Sequence, residues 1–85
     1  MDIKKQYISD LATFLSNQDK VMSAEELASH LNRNGFRTSY DSKYKGGLGT
    51  YKLIKSTWSD HYLAGEKIEA DNVAAAFVKP SDAYK

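Results

Sequence analysis

The feature that most constrains this chain is a helix whose two ends are both written into residues 22 to 35, MSAEELASHLNRNG. Ser23 followed by Glu26 is a capping box: the serine oxygen accepts the N3 amide, and the glutamate reaches back to the serine amide. Met22 before the cap and Leu27 at N4 are spaced as a hydrophobic staple, and Glu25 places negative charge at the positive end of the helix dipole. Leu27, Ala28 and Leu31 then form one inward face, and Asn34-Gly35 supplies a residue that enters the left-handed region without a Cβ penalty. A helix so short is not stable alone, because most helical stability comes from packing of an apolar face. The remaining segments must supply that packing.

Residues 2 to 17 predict a first helix. Ile3, Tyr7, Ile8, Leu11, Phe14 and Leu15 recur at the spacing of one helical stripe, whereas Lys4, Lys5, Ser9, Asp10 and Thr13 fall on other faces. A third helix is expected from about Thr50 to Leu63, with Gly65 as its stop. Tyr51, Ile54, Trp58 and Tyr62 share one face with Leu53 beside them, which makes Trp58 the expected centre of the core. Past Gly65 two readings stay open. Strands at Lys67 to Ala70 and near Phe77 to Lys79 would make a wing; a helix from an Asp71 cap through Phe77, stopped by Pro80, is the alternative that the alanine run favours. In either case Tyr84 can pack back or fray with the end of the chain.

The expected fold class is therefore mainly α. A three-helix helix-turn-helix or winged-helix-like core carries either a short C-terminal helix or a small β-wing. Eighty-five residues, 41% of them hydrophobic and 27% charged, suit one domain covering residues 1 to 85, able to bury about 60% of its unfolded surface. The absence of cysteine excludes a disulfide framework, thiolate zinc ligands and a cysteine nucleophile. The amino end has no uninterrupted apolar h-region, and no stretch approaches the roughly 18 apolar residues of a membrane span, so a cytoplasmic protein with no membrane partner is expected.

The net charge of +1 hides an uneven distribution. Residues 1 to 32 hold three lysines against five acids, residues 33 to 55 hold two arginines and four lysines against Asp41 alone, and residues 56 to 85 again hold three lysines against five acids. A local positive field of this kind attracts polyanions even when the whole molecule is near neutral, although a solvated basic loop has the same composition. The connection RTSYDSKYKGGLG is too polar and glycine-rich for a helix. Its glycines lack the P-loop and dinucleotide spacings, so nucleotide cradling is not expected. In the third helix Lys52, Lys55, Ser56 and Ser59 stand at i, i+3, i+4 and i+7, opposite the aromatic face, and carry groups that contact phosphates and base edges in a major groove.

Leu27-Ala28, Leu31-Asn32, Gly35, Thr38, Tyr44, Thr50 and Ile54 resemble the DNA-binding segment in the carboxy-terminal part of large serine recombinases. The chain departs from that pattern at Asp41, where glycine is usual, at Tyr44, where tryptophan is usual, and in a longer loop before Thr50. The resemblance implies a DNA-binding fold from a phage or mobile element, with Thr38 and the helix from Thr50 to Ser59 near DNA. No recombinase catalytic segment accompanies it.

Catalytic chemistry finds no pattern. His30 and His61 lack a carboxylate or histidine at ligand spacing and are expected at a helix edge and a helix end, while Glu25 and Glu26 are taken up by the cap and the dipole. No metal, cofactor, catalytic residue or small-molecule substrate is expected. The expected function is non-enzymatic binding of double-stranded DNA, as a small transcriptional regulator or mobile-element accessory factor. Helix 50 to 63 would enter the groove while the basic loop, residues 37 to 47, holds flanking phosphates. Arg37, Thr38, Lys43, Lys45, Thr50, Lys52, Lys55, Ser56 and Ser59 are the candidate contacts. A homodimer would fit two half-sites one DNA turn apart. The alternative is a protein-interaction module in which Tyr40, Tyr44 and the basic loop dock an acidic partner.

Overall fold

The first helix, α1, spans Ile3–Asn17 and is opened by Asp2, whose carboxylate accepts the Lys5 amide at 2.8 Å. The computed structural model describes residues 2 to 45 and 48 to 78; Gly46, Gly47, Lys79, Pro80 and Tyr84 lie outside the described residues. The buried stripe of α1 is Ile8, Ala12 and Leu15, with Tyr7 and Leu11 half-buried beside it. Ile3 and Phe14, expected on that stripe, are 80% and 58% exposed, and Ser9, expected outside, is buried. The stripe is rotated toward Ser9 because that hydroxyl has a buried partner in α3.

The chain leaves α1 through a pair of bonds in which Lys20 N–H donates to Leu15 O at 2.9 Å and Asp19 N–H to Ser16 O at 3.2 Å. This is the Schellman arrangement, and it puts Asp19 at φ 54°, where glycine is the usual occupant. Met22–Ser23 then form a two-residue strand, β1, and Ala24–Arg33 form α2. The Ser23 cap is present, its oxygen accepting the Glu26 amide at 3.1 Å. The reciprocal half differs: the Glu26 carboxylate lies 3.4 Å from the serine hydroxyl rather than on its amide. Met22 and Leu27 are both buried in the core, as a staple requires. Ala24, Leu27, Ala28 and Leu31 face inward, and a second Schellman pair closes on Gly35 at φ 82°.

Helix α3 spans Leu48–Leu63, starting two residues earlier than expected, and ends in a third Schellman pair around Gly65 at φ 78°. Its inward stripe is Thr50, Ile54, Thr57 and His61, not the aromatic row. Trp58 is 37% exposed and stacks on exposed Tyr62, with ring centroids 5.0 Å apart. The expectation of a central tryptophan is thus corrected. Burying hydroxyls is tolerable here because each has a partner: Thr57 donates to Leu53 O at 2.9 Å, and Thr50 to Lys45 O at 2.7 Å.

The ambiguous carboxy-terminal region contains a helix. Lys67–Ala76 form α4, which buries Ala70, Val73 and Ala76 and packs chiefly against α1 and α3. It starts four residues before the expected Asp71 cap, because the turn at Gly65 already delivers the chain in helical register, with Ala70 N–H on Glu66 O at 3.0 Å. The wing is not formed among the described residues. Lys67 to Ala70 are helical, and Phe77–Val78, the second strand β2, pair in parallel with β1 instead, Met22 opposite Phe77 and Ser23 opposite Val78. The fold is mainly helical, with four helices around one apolar core and this one two-residue pairing among the described residues.

Candidate nucleic-acid interface

After α2, residues 36 to 45 are held by contacts to three elements. After Gly35, Phe36 packs against Tyr7 with ring centroids 5.4 Å apart. Arg37 folds back over the end of α2: one guanidinium nitrogen donates to Asn32 O at 3.1 Å and Phe36 O at 2.7 Å. A cation on the Asn32 carbonyl offsets the negative end of the helix dipole. The Arg37 carbonyl in turn accepts the Lys4 ammonium at 2.7 Å. Thr38 closes the next turn, its hydroxyl oxygen accepting the amides of Tyr40 and Ser42 at 3.3 and 3.2 Å, with Asp41 at φ 60°. Aspartate is among the few non-glycine residues that visit this region readily.

Asn32 then spans from α2 to the loop. Its side-chain amide donates to Tyr44 O at 2.8 Å while its oxygen accepts the Tyr44 amide at 2.7 Å. One side chain thus imitates a strand neighbour for Tyr44, and the two bonds fix which end of the amide is oxygen. The Lys4 ammonium lies 5.0 Å from the centroid of the Tyr44 ring, within cation–π range. Thr50 finally ties the loop to α3 through Lys45 O.

These clamps shape an open cup of about 730 Å³ between the loop and the first turns of α3. Lys4, Lys43, Lys45 and Lys52 line it together with Thr38, Ser39 and Ser42, and among the described residues no carboxylate does. Lys43, Lys45 and Lys52 are exposed, and none of these four lysines is in an ion pair among the described residues. Lysines gathered without counter-charge raise the local potential and favour an anion.

The structure sorts the candidate contacts into three groups. Lys43, Lys45 and Lys52 meet at the cup. Lys55, Ser56 and Ser59 continue along the outer ridge of α3, Lys55 exposed and the serines half-buried. Arg37, Thr38 and Thr50 serve as scaffold: Arg37 places one guanidinium nitrogen on two backbone carbonyls, Thr38 its hydroxyl oxygen on backbone amides, and Thr50, fully buried, its hydroxyl on a carbonyl. For Thr50 direct contact is thereby corrected to support. Lys4 is the residue that the sequence reading missed. It lies on a distant helix, and no local pattern connects it to Tyr44.

On the other flank of α3 a groove of about 310 Å³ is lined by Tyr51, Ile54, Lys55 and Trp58, and by Val73, Ala74 and Phe77 from α4 and β2. Lys55 reaches over the Tyr51 ring at 5.8 Å. Tyr40 at the loop tip is 90% exposed, whereas Tyr44, expected to be exposed, is half-buried.

Two polar links brace α3 against α1. Lys5 and Asp60 pair at 2.8 Å, and this bond holds the Asp60 carboxyl below the usual carboxylate range. His61, expected at the helix end as a surface or capping residue, is buried: Nε2 lies 2.9 Å from the Ser9 hydroxyl and Nδ1 3.1 Å from the Glu66 carboxylate. Nδ1–H donates to the carboxylate, and Nε2 pairs with the Ser9 hydroxyl. The order serine, histidine, carboxylate is that of a nucleophilic relay, but Ser9 is buried on the inward side of α1, so its hydroxyl serves as a brace rather than an approachable nucleophile. Among the described residues no group of three or more His, Cys, Asp or Glu is placed to share a metal ion, and no helix is long and apolar enough to cross a membrane. No family model, curated protein or solved structure matches the chain.

Proposed function

We propose that this chain binds double-stranded DNA, with α3 presented to the major groove and the basic cup holding adjacent phosphates. The observation that carries this reading is the cup itself, four lysines from α1, the loop and α3 with no carboxylate among the described residues that line it. Phosphate contacts supply most of the affinity of such a surface and fix its register on the duplex. Lys52 belongs to both the cup and the ridge, so a backbone seated in the cup continues along Lys55, Ser56 and Ser59, whose ammonium and hydroxyl groups suit phosphates and base edges.

The arrangement departs from the compact helix-turn-helix, in which three or four residues join the helices. Here residues 34 to 47 separate α2 from α3, and the clamps at Asn32, Arg37 and Thr50 supply the rigidity that a short turn would give. Asn32 is among the residues that carry the resemblance to the recombinase segment, and Asp41, left-handed here, is a departure from it at a position where glycine is usual. A regulator or mobile-element accessory factor is the corresponding biological role.

The test is fluorescence anisotropy of a labelled duplex across a salt series. With four or five lysines neutralising phosphates, log K is expected to fall against log salt with a slope between about −3.6 and −4.5. Lys52→Glu with Lys55→Glu should abolish measurable binding while the circular dichroism spectrum stays native. Unchanged affinity in that folded double variant would remove α3 from the interface. A second reading, docking of an acidic protein, draws on the exposure of Tyr40. It is favoured if Tyr40→Ala leaves duplex affinity unchanged yet abolishes capture of a protein partner.

A further inference from the structure

The basic cup leaves the opposite flank of α3 unexplained. There Trp58 and Tyr62 stack on each other at the surface, 19° from parallel, and Trp58 also forms a wall of the groove that Tyr51, Ile54, Val73, Ala74 and Phe77 complete. A tryptophan 37% exposed and a tyrosine 54% exposed, side by side, form an aromatic surface that the core does not use. Among the described residues the groove is apolar apart from Lys55 at its rim, and no carboxylate lines it. Its volume of about 310 Å³ lies at the small end for ligand sites, room for one flat ring system rather than an extended ligand.

We infer that this aromatic flank, centred on Trp58 with Tyr51, Lys55 and Tyr62, takes an unpaired nucleobase, so that the preferred ligand is duplex DNA bearing a single-stranded extension. This rests on the DNA reading above and specifies its substrate. Bases inside a duplex have their faces covered by neighbours, whereas unpaired bases stack on aromatic side chains with little sequence preference, and a nearby cation tracks their phosphates. Lys55 meets that requirement from the rim of the groove. At 100° per residue, Lys52 and Lys55 lie only about 60° apart around α3, the first facing the cup and the second the groove. A strand leaving a duplex seated at the cup therefore crosses the ridge between two lysines to reach Trp58.

Trp58 is the only tryptophan, so its emission reports directly on this flank. The experiment compares one duplex in blunt form and with a short single-stranded thymine tail, following Trp58 fluorescence and the anisotropy of a labelled strand in parallel. The tailed duplex is expected to bind on the order of ten-fold tighter than the blunt one and to quench Trp58, in keeping with the value of stacking per base. Trp58→Ala should bring the ratio of tailed to blunt affinity to one. Ala74→Glu, at an exposed position lining the groove, should do the same without removing a packed side chain. Equal affinity for both duplexes with unchanged Trp58 emission overturns the aromatic site and leaves duplex binding at the cup intact. A tail advantage that persists in folded Trp58→Ala and Ala74→Glu also overturns it. Failure of both duplexes to bind overturns both readings.

Discussion

Asn32→Ala isolates the clamp on which the shape of the cup depends. The wild-type side chain makes two hydrogen bonds to Tyr44, at 2.8 and 2.7 Å, in a half-buried setting. Each is worth about 0.5–1.5 kcal/mol net, so the variant should lose about 1–3 kcal/mol of folding stability. For a chain of this length that is a large share of a total near 4–13 kcal/mol, and it corresponds to a fall in Tm of several degrees. Urea unfolding followed by far-UV circular dichroism measures the loss. The same variant should weaken duplex binding at constant salt, since Lys43 and Lys45 flank the released Tyr44 and must be ordered on binding. Asn32→Asp separates geometry from hydrogen-bond polarity, because one oxygen still accepts the Tyr44 amide while the other opposes the Tyr44 carbonyl without a proton to donate. It should be no more stable than the alanine variant. A loss in Asn32→Ala below about 0.5 kcal/mol would refute the idea that this amide holds the loop.

The three helix ends form a natural comparison, since the same pair of bonds closes on Gly35, on Gly65 and on Asp19. Asp19→Gly should stabilise the fold by about 0.5–1 kcal/mol and Gly65→Ala destabilise it by about 1–2 kcal/mol, both read by urea unfolding, because only glycine occupies that region without a Cβ clash. His61→Ala strands the Ser9 hydroxyl in a buried site and should cost about 2–3 kcal/mol, with Ser9→Ala milder because it removes a partner rather than the ring; equal losses would contradict this. For the Lys5 and Asp60 pair the sign follows from the lowered Asp60 value. Its contribution is fully present above the unfolded carboxylate pKa near 3.9 and is lost as pH falls through the lower folded value. The stability gap between wild type and Lys5→Met should therefore close below about pH 4.

What the sequence made legible follows the range of the interaction that decides each element. The α2 cap, staple and glycine stop are determined within a few residues, so both ends were readable from Ser23 to Gly35. The alanine run likewise disclosed α4 through propensity alone. Its start was misplaced because Asp71 looks like a cap, while the true start is dictated by the turn at Gly65. Helix α3 was read at the wrong rotation for a different reason. Periodicity assumes that apolar residues face the core, but Thr50, Thr57 and His61 face it here, each satisfied by a partner, and the aromatic row lies beside them. The β1 and β2 pairing joins residues 22 and 77, and neither dipeptide signals it locally. At the candidate interface the charge concentration exposed Lys43, Lys45, Lys52 and Lys55. The scaffold roles of Arg37 and Thr50 were hidden because their partners are backbone carbonyls, which carry no sequence signature, and Lys4 arrives from a helix whose pattern speaks only of packing.

The most direct measurement is an amide-shift titration of the labelled chain with a short duplex at about 50 and then about 200 mM salt, a range over which phosphate contacts weaken steeply. Shifts at Lys4, at residues 38 to 45 and along the outer ridge of α3 from Lys52 to Ser59, fading at the higher salt, are the expected result. Absence of shifts at both salts, or shifts centred on α2 and the outer face of α4, would contradict a DNA interface built on the cup and on α3.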